Sequence, residues 1–313
     1  MHIVILGGTG FVGRHLAARL CGRGDRVTVL SRNRDHERLR GWRVLPKLNV
    51  VNCNVHDAAA LTHRFQGADA VINLVGILNE RGRSGEGFRR AHVELAGTVI
   101  GAMKAAGVKR LLQMSALNAG RGKSHYLRTR GEAEALVKAS GLSWTIFQPS
   151  VIFGPGDGLF QRFAALLRLA PVLPLARPNA RFAPVYVGDV VEAFARCLRD
   201  PASVHQSYEL YGPDTLTLAE IVRYTARQMG VKRVVLPLPD ALGRAQGLVF
   251  DFIPGKPFST DNFLSLQIDA VGGIDGLYRL GIPKTPIERI VPQMLGGSPR
   301  QQRLARDRAR PAP

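Results

Sequence analysis

The chain is poor in cysteine, in acidic residues and in long apolar runs, and each shortage removes a class of function. Its three cysteines, Cys21, Cys53 and Cys197, lie in apolar segments with neither a CxxC spacing nor a histidine cluster beside them. That pattern argues against a metal centre or a redox couple and for small core residues in a reducing compartment. No stretch of about eighteen or more uncharged apolar residues occurs, so no transmembrane helix is expected. The opening "MHIVILGGTG" lacks the basic front and the cleavage site of a signal peptide, which makes an intracellular, cytoplasmic protein the expectation. Asp and Glu number 24 against 43 Lys and Arg, a net charge of +19 that calls for an acidic partner: a phosphate-bearing ligand, an anionic membrane face, an acidic protein or nucleic acid. Aromatic residues do not interleave with the arginines, and without such stacking platforms dedicated nucleic-acid binding is disfavoured.

What is present is alternation. Short apolar runs, "HIVIL", "RVTVL", "NVVNCNV", "DAVINLV", "KRLLQMS" and "SWTIFQPSVIFG", are separated by helical stretches, among them one from about Phe11 to Arg23 and a long one around Phe88 to Ala106. Strand and helix in turn, with β-branched strands apolar on both faces, predict an α/β fold with a doubly wound parallel Rossmann sheet of about seven strands over residues 1–153. From 154 to 296 the pieces are punctuated by Pro and Gly, and a smaller substrate or partner lobe, interleaved with the first and lying over the carboxyl ends of the strands, is expected. Residues 297–313, "GSPRQQRLARDRARPAP", read as a basic flexible tail. The segment "NERGRSGEGFRR" (79–90) reads as a glycine-arginine loop, mobile unless something covers it.

The sharpest local signal is "GGTGFVG". Gly7, Gly10 and Gly13, with Thr9, Phe11 and Val12 between them, follow a predicted strand and open a helix. Gly7 permits a tight turn, Gly10 lets backbone approach a pyrophosphate, and Gly13 lets the helix pack closely, while the helix N-terminus offers N–H donors. A bound dinucleotide follows. The second strand ends "VLSRNR" where an NAD site would place an acidic residue; Arg32, with Arg34 and Arg14, suits a 2′-phosphate, so NADP(H) is preferred and NAD(H) remains open. The same arginines would also serve as plain solvated loop residues.

These motifs, with "VINLVGIL", "LLQMSALNA", "YLRTRGEAE", "QPSVIFGPGDGLFQRFA" and "RFAPVYVGDVVEAF", resemble the extended and atypical short-chain dehydrogenase/reductases, the epimerase/dehydratase-like family. They look most like its branch containing the NADPH-binding accessory subunit of respiratory complex I and its bacterial relatives. The resemblance implies roles residue by residue. Asn54 and Val55 would hold the adenine, Asn54 standing in for the family's aspartate. Leu74, Val75 and Gly76 would line the cofactor, and Pro149 and Val151 would lie near the nicotinamide. Ser115 and Tyr126 match the family's catalytic serine and tyrosine, and Arg130 stands where its lysine should be. Lysine in that place holds the ribose and lowers the tyrosine pKa; arginine keeps the charge but brings a planar fork and a pKa above about 12. Cofactor binding should survive this change better than turnover.

Three functions are therefore open. One is a weakly catalytic or non-catalytic NADP(H)-binding subunit, whose positive surface meets acidic respiratory-complex subunits or an anionic face, placing it peripheral to the inner membrane. The second is a working oxidoreductase or sugar-nucleotide epimerase/dehydratase on a small carbonyl or alcohol. The third is an NADPH-sensing regulator. Arg130 favours the first and third.

Overall fold

The apolar runs become the strands of one sheet because residues such as Ile3, Val4, Ile5, Val27, Val29, Val71 and Ile72 lose all contact with solvent, which requires cover on both faces. The computed structural model describes residues 1–32, 45–254 and 256–296; Arg34 and the tail 297–313 lie outside the described residues. Strands β1 (His2–Leu6), β2 (Arg26–Ser31), β3 (Leu48–Asn52), β4 (Ala70–Asn73), β5 (Arg110–Met114) and β6 (Ser143–Pro149) are joined by an edge strand, Gln206–Leu210. All pairings are parallel, in the order β3-β2-β1-β4-β5-β6-edge strand. The doubly wound sheet of seven strands is thus borne out, with the chain reversing direction across the sheet between β1 and β4. That reversal opens the crevice in which ligands of such sheets bind.

Helices cover both faces. One core joins β1 and β2 to the helices Phe11–Gly22 and Val187–Cys197 through Leu16, Leu20, Val190 and Phe194. The other joins Val4, Leu6 and Leu111 to Leu61 and Phe65 of Ala58–Phe65, Val99 and Met103 of Leu95–Ala105, and Val137 of His125–Lys138. Local sequence starts several of these helices: Asp57 accepts from Ala60 N–H, Ser124 from Leu127 N–H, and Thr217 and Glu220 cap Leu218–Gln228 reciprocally. The long helix expected near Phe88–Ala106 is interrupted. Glu86–Arg89 runs into a π-helical turn, Arg90–Glu94, before Leu95–Ala105 resumes α geometry.

The seventh strand and the helix Val187–Cys197 come from beyond residue 153. Arg110, pushed below its usual pKa by burial, fastens this return by donating to Ser143 O, Thr145 Oγ1, Cys197 O and Ser203 Oγ. The remaining segments form two smaller apolar clusters, one around Phe153, Phe160 and Ile221 and one around Leu167, Leu175 and Val222. Asp189 ties Thr285 to the sheet side by accepting from its N–H and its hydroxyl, each at 2.8 Å. The loop 79–90 is covered. Glu80 accepts from Gly85 and Gly87 N–H, Arg83 pairs with Asp251, and Lys256 donates to Gly82 O.

Candidate functional site

The glycine turn is held by contacts that tolerate no side chain. Gly7 has φ +73°, and a Cβ there would sit 3.0 Å from the backbone of Leu74 and Val75, so the first and fourth strand ends meet at this point. At Gly13 a Cβ would lie 2.5 Å from Gly8 Cα and 2.6 Å from Gly7 O, so the helix packs onto the turn itself. Gly10 is the helix N-cap, offers no side-chain cap, and no acidic residue occupies the first turn. The first intrahelical bond is Arg14 N–H to Gly10 O, which leaves the N–H groups of Phe11, Val12 and Gly13 for an anion. Thr9 is half-buried within the turn.

At the ends of β2 and β3, a cavity of about 400 Å³ is lined by Arg32, Asn52, Cys53 and Asn54. Asn54 Oδ1 accepts from His56 N–H at 3.1 Å, so the carboxamide half left for a ligand is its NH2, a donor. Val55 packs into the core beneath. His56 titrates below its ordinary value, through burial first and then the Arg90 guanidinium, with Arg32 adding to it. His56 and Arg90 thus belong to the same positive neighbourhood, which sequence reading missed because Arg90 lies some 60 residues from Arg32 in a loop-to-helix junction. A larger hollow, about 430 Å³, lies at the amino ends of the strands among Asp69, Lys109, Arg110 and Ser143, and contains none of the predicted dinucleotide residues.

Between the carboxyl ends of β4 and β5 stands Arg130. Its Nη1 donates to Met114 O at 3.0 Å and to Val75 O at 3.4 Å, its Nη2 fills the space a Cβ on Gly76 would need, and its guanidinium carbon lies 5.5 Å from the Tyr126 ring centroid. Tyr126 packs edge-on to Phe88 and His92 at 6.2 and 5.7 Å. Asp261, from the helix Thr260–Ser265, accepts from the N–H groups of His125 and Tyr126 and so caps the helix that carries them; burial raises its pKa. Tyr126 and Arg130 are therefore brought together.

Ser115 points elsewhere. Its hydroxyl donates to Glu134 Oε1 at 2.6 Å, and Glu134 also accepts from Gln148 Nε2 and Lys138 Nζ. Glu134 was missed, although its spacing of four from Arg130 and eight from Tyr126 on one helix is visible in "YLRTRGEAE". Leu74 and Val75 close the end of β4, where Asn73 Oδ1 accepts from Val75 N–H. Pro149 O accepts from Leu117 N–H, and Val151 O from Val185 N–H, which ties the segment after β6 to the short strand Val185–Tyr186.

His92, beside Tyr126, is buried and neutral. Ile77 N–H donates to Nε2, so the ring proton sits on Nδ1 and is given to Thr129 Oγ1, whose own hydroxyl donates to His125 O. Burial and the Arg130 charge push its pKa down to about 2.

A parallel sheet with a reversal point, a glycine turn feeding an uncapped helix N-terminus, and a cation-lined cavity beyond the second strand define a dinucleotide-binding protein of the Rossmann class. The residues fit NAD(P): besides the cradle, Nε of Arg14 and of Arg130 are buried donors with no protein partner among the described residues. A family profile described as NAD(P)H-binding matches residues 7–158. A ceramide reductase of Caulobacter vibrioides is 32% identical over 76% of this chain and 74% of its own length. Mitochondrial NADH dehydrogenase (ubiquinone) 1 alpha subcomplex subunit 9 of Mus musculus is 29% identical over 91% of this chain and 77% of its own. A dTDP-glucose 4,6-dehydratase from Streptomyces venezuelae, solved with NAD, shares the fold with a TM-score of 0.77 at 19% identity, covering 98% of each chain. The chain belongs to the extended short-chain dehydrogenase/reductase family, close to the complex I accessory subunit, and is an NAD(P)-binding protein. Among the described residues no helix is long and apolar enough to cross a membrane.

Proposed function

We propose that this chain is an NADP(H)-preferring, weakly catalytic member of its family, held to a respiratory or membrane-bound complex by its basic surface. The observation that carries the reading is the state of Arg130, whose Nη1 is engaged by the carbonyl oxygens of Val75 and Met114 while its guanidinium lies over the Tyr126 ring. A lysine relay needs a mobile ammonium shared between ribose and tyrosine, whereas a planar fork fixed to two strand ends gives a permanent charge and no proton. Ser115 supports the same view, because its one hydroxyl proton is given to Glu134.

When bound, the nicotinamide supplies hydride; the chain's own residues hold it in place. Phe11 to Gly13 would meet the pyrophosphate with backbone N–H groups, and Arg32, with His56 and Arg90 nearby, would meet a 2′-phosphate. The respiratory association draws on the similarity to the complex I subunit and on the net charge of +19. The test is threefold on one preparation: titrate NADPH and NADH, assay turnover of a carbonyl panel, and follow release from membranes as salt rises. Equal cofactor affinities, fast turnover or salt-independent fractionation would each remove the corresponding part. The similarity to a ceramide reductase favours a second reading, reduction of a lipid carbonyl, which fast NADPH oxidation with a long-chain ketone would establish.

A further inference from the structure

The helix Asp240–Phe250 is packed the wrong way round for a soluble protein. Its buried face is made of Gly243 and Gly247: a Cβ on the first would lie 2.9 Å from Ala176 Cβ, and on the second 3.1 Å from Thr260 N. Its large apolar side chains face out. Leu242 is 57%, Val249 61% and, just past the helix end, Phe252 77% exposed, with Ala241, Ala245 and Leu248 on the same stripe. At 100° per residue these six positions span about 120° of the helix surface, opposite the glycines, and the stripe contains no charge. The two-stranded ribbon beneath continues it, since Val172 pairs with Val234 and Pro174 with Leu236, and all four are exposed.

Cations adjoin this face in the chain: exposed Arg168 and Lys232 precede the two ribbon strands by four and two residues, and Arg244 is exposed on the helix itself, whose acids, with that of its C-cap, are Asp240 and Asp251. Both acids are neutralised in ion pairs, with Arg177 at 2.6 Å and Arg83 at 3.2 Å. An uncharged apolar stripe on an 11-residue helix, flanked by the exposed cations Arg168, Lys232 and Arg244, which have no ion pair among the described residues, matches the interfacial plane of an anionic bilayer, where side chains enter the acyl boundary and cations meet phosphates.

We propose that Asp240–Phe250 and the ribbon Val172–Ala176/Val234–Leu238 form a docking surface for an anionic lipid bilayer, lying in its interface. This deepens the membrane part of the function proposed above and rests on it. The test is flotation of the full chain with vesicles of phosphatidylglycerol and phosphatidylcholine, and with phosphatidylcholine alone, for the parent and for Val249→Glu/Phe252→Glu. NADPH titration of each sample separates loss of docking from loss of the fold or of the cofactor site. The expected result is binding to the anionic vesicles only, weakened about tenfold or more in the double variant at unchanged NADPH affinity. Three results overturn the proposal: no binding by the parent, equal binding by parent and variant, or a parent dimer in light scattering that the variant splits, which would make the face a contact between copies.

Discussion

Replacing Arg130 by lysine restores the residue the family chemistry asks for, and the structure allows the cost to be worked out. The substitution removes a charge-assisted hydrogen bond to Met114 O, worth about 1.5–3 kcal/mol, and a contact over the Tyr126 ring worth about 0.5–1 kcal/mol. It also removes the buried Nε that has no protein partner, which returns about 1–3 kcal/mol. The net is a destabilisation of about 1 kcal/mol, a melting shift of a few degrees at most in a chain of this size. The fold should therefore survive. The ammonium, a compact charge on a flexible stem, is free to reach the ribose as the guanidinium held by Val75 and Met114 cannot. Following NADPH absorbance against a panel of carbonyls, we expect slow or absent turnover by the parent and a rise in Arg130→Lys bounded by the 10²–10⁴-fold typical of a positioned proton donor. Cofactor affinity should change by less than about tenfold, and Tyr126→Phe on the lysine background should abolish the gain. Robust turnover by the parent that falls on Arg130→Lys would refute the reasoning, because arginine would then be the working partner of Tyr126.

Arg32→Asp should cut NADPH affinity by about 10–100-fold while sparing NADH, as loss of one charge-assisted bond to a 2′-phosphate requires; parallel fluorescence titrations that move both cofactors equally would show that Arg32 is only solvated. Gly13→Ala places a methyl 2.5 Å from Gly8 Cα, so the helix must shift from the turn, and NADPH binding measured by calorimetry should weaken at least about tenfold. His92 has a folded pKa of about 2 against about 6.5 unfolded, so its contribution is full above pH 6.5 and is lost as pH falls toward 2, by up to about 1.4 kcal/mol per unit. Asp157, Asp189 and Asp261, raised by burial, act in the opposite sense within the carboxylate range, so the measurement is a difference. Urea unfolding at pH 7 and 5 should show a smaller loss for His92→Gln, whose amide can replace both ring contacts, than for the parent; identical losses would remove His92 as the source.

The glycine turn, the alternation of buried strands and the basic residue ending the second strand are all local features, and the sequence by itself determined them. A GxxGxxG spacing after "HIVIL" dictates a turn whatever the remainder of the chain does, and β-branched runs too apolar for a half-wet sheet leave only a covered parallel one. Even the shared helical face of Tyr126, Arg130 and Glu134 follows from a spacing of four. Tertiary structure alone decided what those side chains do. Val75 and Met114 lie 55 and 16 residues from Arg130, and only the closure of β4 beside β5 puts their carbonyl oxygens within reach of one guanidinium. The seventh strand is likewise a matter of long-range pairing, since "QSYEL" carries no apolar run and becomes a strand because β6 offers it an edge. The loop 79–90 is ordered by Asp251 and Lys256, far along the chain. Apolar spacing in "DALGRAQGLVF" announces a helix with a greasy stripe, but which side faces the protein depends on whether the site beneath has room for side chains or only for glycine, and that room is set by Ala176, Ser259 and Thr260.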